Sequence, residues 1–230
     1  MISIKENKSK KEKLRTTKDF QQAQLSQGQN VGLINLGCAR NLVDSQAILG
    51  NLKRQGHRIV DLNKAQIAIV NTCGFIEEAK KESIETILEL IDLKKKGRIK
   101  KVIVSGCLAQ RYSKELSAEF PEIDALIGTP KFEKQTLLPQ VYLTPPHYAY
   151  VKICESCYNA CSFCAIPKIK GKFSSRTIES ILNEIRGLDQ RKVKEINLIG
   201  QDITAYGMDI THEKSLARLL KEIASGTEHI

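Results

Sequence analysis

The stretch Gln66-Ile-Ala-Ile-Val-Asn-Thr-Cys73 decides how this chain folds. It reads as an apolar strand that ends in a cysteine, and it has two siblings. Val31-Gly-Leu-Ile-Asn-Leu-Gly-Cys38 lies before it and Lys101-Val-Ile-Val-Ser-Gly-Cys107 after it, so the cysteines stand 35 and then 34 residues apart. That interval is close to one strand–helix–strand unit. Helix-like stretches fill the gaps. Val43 to Gln55 carries Val43, Ala47, Ile48 and Leu52 on one face and stops at Gly56. Phe75 to Lys96 carries Ile76, Ala79, Ile84, Ile87, Leu88 and Ile91, with a basic last turn that suits the helix dipole. Arg58 to Leu62 and Asp124 to Gly128 read as further strands, and Lys114 to Phe120 as a further helix.

Alternation of this kind predicts an α/β fold: a doubly wound parallel sheet with helices on both faces. Ligands bind such sheets beyond the carboxyl ends of the strands. Cys38, Cys73 and Cys107 each fall just past a strand end, so the topology predicts one rim for all three. A buried cysteine packs as a small hydrophobe, which explains one such position easily and three poorly. We therefore expect a shared metal or cluster site.

A second cysteine group follows a second apolar strand, Tyr148 to Ile153. Cys154, Cys157, Cys161 and Cys164 fall within eleven residues and run into Pro167. Structural zinc sites draw their ligand pairs from knuckles separated by a longer segment, and here all four thiolates would wrap one ion on one short loop. The spacing also departs from the ferredoxin run. What remains is an iron–sulfur cluster on Cys157, Cys161 and Cys164, with one iron open and Cys154 as an extra thiol at the strand end. Thr177 to Leu188 then reads as a helix, Glu195 to Gly200 as a parallel-type strand and Leu216 to Ala224 as a helix. This second β/α region contains only about two units and looks unfinished.

The expected organisation is a basic tail at 1–30, a first domain at 31–129, a linker at 130–147 with a short helix, and a partial second domain at 148–230. The chain has 230 residues, 41% of them hydrophobic and 5% aromatic, and no apolar run long enough to cross a bilayer. Residues 1–30 lack the apolar core of a signal peptide, so a cytoplasmic protein with no membrane partner is expected. In that reducing compartment clustered cysteines, odd in number at seven, read as ligands before disulfides. The net charge of +10 fits a nucleic-acid or ribosomal partner, or a solvated basic tail. His57, His147, His212 and His229 sit in no motif and read as surface residues.

Cys157 to Cys164, a three-cysteine loop with Phe163 before its last cysteine, resembles the loop of the radical S-adenosylmethionine superfamily. Five segments sharpen this: Asn35 to Ser45, Asn71 to Ala79, Ser105 to Tyr112, Cys161 to Pro167 and Leu198 to Asp202. Together, over roughly 31–207, they look like the methylthiotransferases, and among them most like the RimO type, which modifies an aspartate of small-subunit ribosomal protein twelve. The resemblance implies two 4Fe–4S clusters, an auxiliary one on Cys38, Cys73 and Cys107 and a second on Cys157, Cys161 and Cys164. It implies S-adenosylmethionine as both methyl donor and source of a 5′-deoxyadenosyl radical, which removes hydrogen from a carbon too inert for acid–base chemistry. Phe163 is then expected near the adenine. Gln201 and Asp202, at a strand's carboxyl end, are candidates for cofactor or substrate contacts, with loop capping as the alternative. Arg176 is a candidate carboxylate contact.

The implied partners are the ribosomal protein or the ribosome, an electron donor such as flavodoxin or ferredoxin, and a sulfur donor. Where the family usually has serine and glycine, this chain has Cys154 and Ser156. The rest of the radical domain and the family's C-terminal RNA-binding-type domain are missing, so a C-terminally truncated and poorly active piece is expected. Two other readings are a tRNA adenosine methylthiotransferase of the MiaB/MtaB type and a non-catalytic cluster-binding fragment.

Overall fold

A computed structural model describes residues 25–130 and 141–227. Most of the expected basic tail, residues 131–140 of the expected linker and His229 lie outside the described residues. The described chain divides into two compact units. One holds the described residues up to Leu36 together with Gln55–Pro130, and the other holds Gly37–Arg54 with the residues from 141 onward.

The first unit is built on five parallel strands: β1 (Asn30–Asn35), β2 (Arg58–Ile59), β3 (Ile67–Thr72), β4 (Lys101–Gly106) and β5 (Ala125–Ile127), in the order β2-β1-β3-β4-β5. β3 is buried along its whole length, which is why its sequence is apolar almost without alternation. The order reverses between β1 and β3, the switch point at which doubly wound sheets open a crevice. The expected strand at Arg58–Leu62 is only two residues long, because the chain turns into a short 3-10 segment at Leu62–Lys64.

Two helices of this unit bear on the sheet. The α2 helix (Glu77–Lys95) begins with Glu77 and Glu78 and ends with Lys94 and Lys95, charges that complement its dipole. Ile87, Leu90 and Ile91 join Ala68, Val70, Val102, Val104 and Leu108 in one core. The expected apolar face of α2 is shifted in the structure: Ser83 is buried while Ile76 and Leu88 are exposed. Two short helices follow β4, α3 (Cys107–Arg111) and α4 (Ser113–Glu119). Asp124 anchors the start of β5 by accepting from Val102 N at 2.8 Å and from Lys94 Nζ at 2.6 Å.

The second unit contains α1 (Ala39–Arg54), which follows β1 in the chain. Sequence reasoning assigned these residues to the first domain. Their polar ties run to the later half: Leu143 N donates to Gln46 Oε1 at 2.9 Å, and Arg40 Nη1 donates to Gly200 O at 3.0 Å. The buried residues of α1 include Asn41, Asp44, Ser45 and Gln46 beside Ile48, Leu49 and Leu52, so the simple apolar face at Val43 and Ala47 is not the one used. β6 (Tyr148–Lys152) pairs in parallel with β9 (Glu195–Ile199), and β7 (Cys154–Glu155) pairs antiparallel with β8 (Ser174–Ser175). Three helices complete the unit: α5 (Ile166–Lys170), α6 (Ile178–Gln190) and α7 (Leu216–Ser225). Thr177 caps α6 by accepting from Ser180 N at 3.2 Å. Ala149, Val151, Ile153, Ile181, Ile185, Leu188, Tyr206 and Leu219 form its core. His57, expected at the surface, is buried. Among the described residues no helix is long and apolar enough to cross a membrane.

Gly106, at the end of β4, has φ +95°, and a Cβ there would strike Asn71 Oδ1 and stand 2.5 Å from Thr72 O and 2.8 Å from Thr72 N. Backbone strain and backbone collision coincide at this position. Gly106→Ala is expected to cost about 2 kcal/mol or more, read as a lowered urea midpoint at unchanged slope.

Candidate functional site

The strand exits of the first unit bring two of the three upstream cysteines together. Cys73 follows β3 directly and Cys107 follows β4 directly. Ser83 on α2 holds Cys73 on both sides: it accepts from Cys73 N at 3.1 Å and donates to Cys73 O at 2.9 Å. The next residue, Gly74, is packed so closely that a Cβ would lie 2.8 Å from both Leu108 N and Leu108 Cα and 3.1 Å from Cys107 C. Arg111 Nη1 donates to Gly74 O at 3.3 Å and reinforces that approach. Cys107 is buried and Cys73 half-buried. Cys38 lies three residues past β1, is exposed, and belongs to the second unit. β1 itself is joined to β3 beyond its end by Leu36 N, which donates to Asn71 O at 3.0 Å.

In the second unit the other cysteines lie on the segment between β7 and α5. Cys157 and Cys164 are half-buried and Cys161 is exposed. The segment forms no regular secondary structure, and Cys164 N donates to Cys161 O at 3.1 Å to close a turn at Ser162-Phe163. Phe163 is 90% exposed on that turn, and Tyr158 packs edge-on against Phe173 at 5.7 Å. Asn159 Nδ2 donates to Asp202 Oδ2 at 2.9 Å, which ties the loop to the exit of β9.

Asp202 has a second task. Its Oδ1 accepts from Thr204 N at 3.1 Å and Thr204 Oγ1 at 2.6 Å, capping a 3-10 turn at Ile203–Ala205. These hydrogen bonds, led by that of Thr204, hold its carboxyl below the usual range. Gln201 stands beside it, partly exposed. Arg176 is different. It is buried, and its guanidinium is committed to Lys152 O at 3.1 Å, to Ser180 O at 3.0 Å and to the Glu184 carboxylate. Tyr206, also buried, donates to Arg176 O at 2.8 Å. The geometry gives Arg176 a framework position in place of the ligand contact expected from sequence.

The two departures from the family pattern have physical explanations. Ser156 has φ +63°, a left-handed conformation that suits glycine, and its Oγ donates to Gly171 O at 2.6 Å in compensation. Cys154 is fully buried in β7, and its thiol is pushed up to about 12 by burial, with the negative charge of Glu155 adding to the effect. It packs against Gly200 so tightly that a Cβ there would strike its sulfur. Burial in β7 and packing on Gly200 set Cys154 apart from the half-buried and exposed thiols of the loop. Among the described residues no three Cys, His, Asp or Glu side chains are arranged around a single ion. A cubane distributes its thiolates over separate irons and needs no single-ion shell. The donor chemistry, three free thiols on one irregular segment, fits such a cluster.

Comparison with known proteins gives a consistent result. Residues 30–128 match the family described as uncharacterized protein family UPF0004, and residues 151–230 match the radical SAM superfamily. A relative from Thermoanaerobacter sp. (strain X514), described as ribosomal protein uS12 methylthiotransferase RimO, is 48% identical over 85% of this chain and 50% of its own length. Relatives of the same description from Solibacter usitatus and Clostridioides difficile are 45% and 42% identical over 84% of this chain, and 46% and 49% of their own lengths. The chain thus spans about half the length of the curated relatives it matches. A solved structure of the radical S-adenosylmethionine methyltransferase TsrM from Kitasatospora setae shares the fold, with TM-score 0.54 and 14% identity over 86% of this chain and 51% of that one.

Burial and charge at Cys154 predict its reactivity. At pH 8, iodoacetamide is expected to modify Cys38 and Cys161 in the folded chain and to spare Cys154, as mapped by peptide mass spectrometry. Because the folded thiol is held above its ordinary value of 9.0, its effect on stability is neutral below that pH, and stability falls as pH rises from there toward about 12. Cys154→Ser should remove that alkaline loss. Ser156→Gly should change stability by less than about 1 kcal/mol, since relief of the left-handed conformation offsets the lost hydrogen bond. By its two domain matches and its relatives, this chain is similar, over about half of their length, to proteins described as RimO-type uS12 methylthiotransferases.

Proposed function

We propose that this chain carries the two cluster-binding segments of a RimO-type methylthiotransferase, which replaces a C–H of the β-carbon of an aspartate in ribosomal protein uS12 with C–SCH3. The observation that carries this reading is in the sequence pattern: Cys38, Cys73 and Cys107 come shortly after β1, β3 and β4 in turn, and Cys157, Cys161 and Cys164 lie together on the loop after β7. The relatives' description as uS12 methylthiotransferases supports the substrate. Each set would hold one 4Fe–4S cluster. When bound, these clusters supply an electron to the sulfonium of S-adenosylmethionine and an iron site for the sulfur to be transferred.

The rest is the work of the chain's own residues. Ser83 and Gly74 fix the backbone of Cys73 against that of Cys107, so two thiolates are presented from rigid strand exits. Phe163, exposed beside Cys164, offers a flat face for the adenine. Asp202 holds the loop through Asn159, and Gln201 next to it is the better placed of the two for a ligand contact, because its side chain has no capping duty. Arg176 serves the framework. Two molecules of S-adenosylmethionine enter the balance, one giving its methyl group and one accepting an electron, so an electron donor such as flavodoxin or ferredoxin and a separate sulfur donor are required partners. The setting would be the cytoplasm, where uS12 is available.

The test is mass spectrometry of uS12 after incubation with the anaerobically reconstituted protein, S-adenosylmethionine and reductant. A methylthio mass gain on one aspartate is expected, with loss of that gain on Cys157→Ala and on Cys107→Ala. A methylthio gain on adenosines of tRNA with none on uS12 would move the assignment to the MiaB/MtaB type.

A further inference from the structure

The stems of the three-cysteine loop carry a closed ring of buried charge. Lys152 ends β6 and Glu155 ends β7, both ahead of Cys157, while Lys170 ends α5 behind Cys164. The fourth member, Asp44, comes from α1, more than a hundred residues earlier in the chain. Lys152 Nζ bonds the Asp44 carboxylate and lies 2.7 Å from Glu155 Oε2. Lys170 Nζ lies 2.9 Å from Asp44 Oδ2 and 3.4 Å from Glu155 Oε1. All four side chains are nearly sealed from solvent, at 6–7% exposure.

The signs alternate and sum to zero, so every charge faces two of the opposite sign. Burial opposes the ionised form of Asp44, yet Lys152 and Lys170 outweigh it and hold the carboxyl below its usual range. Burial likewise opposes charged Lys152, and Asp44 with Glu155 outweighs it. Apolar side chains of similar volume would stabilise such a site about as well, whereas removing one partner strands a buried charge. A ring of this kind therefore enforces one arrangement more than it adds stability. What it arranges is specific: both stems of the loop, and the helix that starts one residue after Cys38. Arg40 at the head of α1 adds a second tie through Gly200 O, and Gln46 a third through Leu143 N.

We propose that Asp44, Lys152, Glu155 and Lys170 form a positioning device that locks the three-cysteine loop to the Cys38 helix, so that the Cys38 thiol and the loop thiols keep one fixed separation. Its value to the enzyme rests on the two-cluster reading above. The geometry it sets is a property of the chain without clusters and is measured without them.

The experiment places spin labels on Cys38 and Cys161, both exposed, in a chain whose Cys73, Cys157 and Cys164 are serine. Pulsed dipolar spectroscopy then reads the distance distribution in the parent, in Asp44→Asn and in Lys170→Met, with circular dichroism to check the fold. One narrow peak in the parent and its loss in Asp44→Asn at retained fold is the expected result. Lys170→Met keeps the contacts among Asp44, Lys152 and Glu155 and carries the test alone should Asp44→Asn not fold; the expected change there is a broadening. A broad parent distribution, or a narrow peak that persists in the folded variants, would overturn the proposal. Failure of the two-cluster reading shows separately, as absence of iron after reconstitution of the unlabelled protein.

Discussion

The parallel pairing of β1 with β3 and of β3 with β4 is the constraint on which the rest of the first unit depends. Parallel strands cannot be joined by tight turns, so each must exit at the same end and return by a crossover. Pairing of Asn35 with Asn71 and of Asn71 with Ser105 aligns those exits to within a residue. Cys73 and Cys107 need no special device to come near one another; each stands next in sequence after its strand. Close packing then finishes the placement. Gly74 admits the backbone of Leu108, and Gly106 lies close against Asn71 and Thr72, so the segments carrying Cys73 and Cys107 lie against each other.

The second unit solves a different problem, since its three thiols sit on a loop without regular structure. Its order comes from the surroundings. Asn159 is held by Asp202, Ser156 by Gly171 O, and the stems by four buried charges. Cys154 differs from the loop thiols in its surroundings: it is buried in β7 against Gly200, and burial, with Glu155 adding, raises its pKa. Of the four cysteines in these eleven residues, Cys154 is buried, Cys157 and Cys164 are half-buried and Cys161 is exposed.

Much of this was legible in the sequence, and the illegible part has a common cause. β1, β3, β4, β6 and β9 announce themselves as short apolar runs, and their parallel order follows from the intervening helices. The places of Cys73 and Cys107 directly after β3 and β4 follow from that reading. Partners far apart in sequence do not. Asp44 sits four residues before Ile48 and shares its helix face, but only the fold brings it to Lys152 and Lys170. The signals available were Lys152 and Glu155, two charges at the end of an apolar strand. The commitments of Arg176 are local by contrast, since Ser180 and Glu184 lie four and eight residues further along the chain, and the sequence reading overlooked them. The ties of α1 to Leu143 and Gly200 were equally hidden, because they are polar and non-local.

The central claim is that six thiols form two separate sets of three. Iron and acid-labile sulfide counted per chain after anaerobic reconstitution test it most directly, in the parent and in two triple alanine variants, one lacking Cys38, Cys73 and Cys107 and one lacking Cys157, Cys161 and Cys164. The account predicts about eight irons in the parent and about four in each variant, as two four-iron clusters require. Loss of all iron in one variant with none lost in the other, or zinc in place of iron, would contradict it.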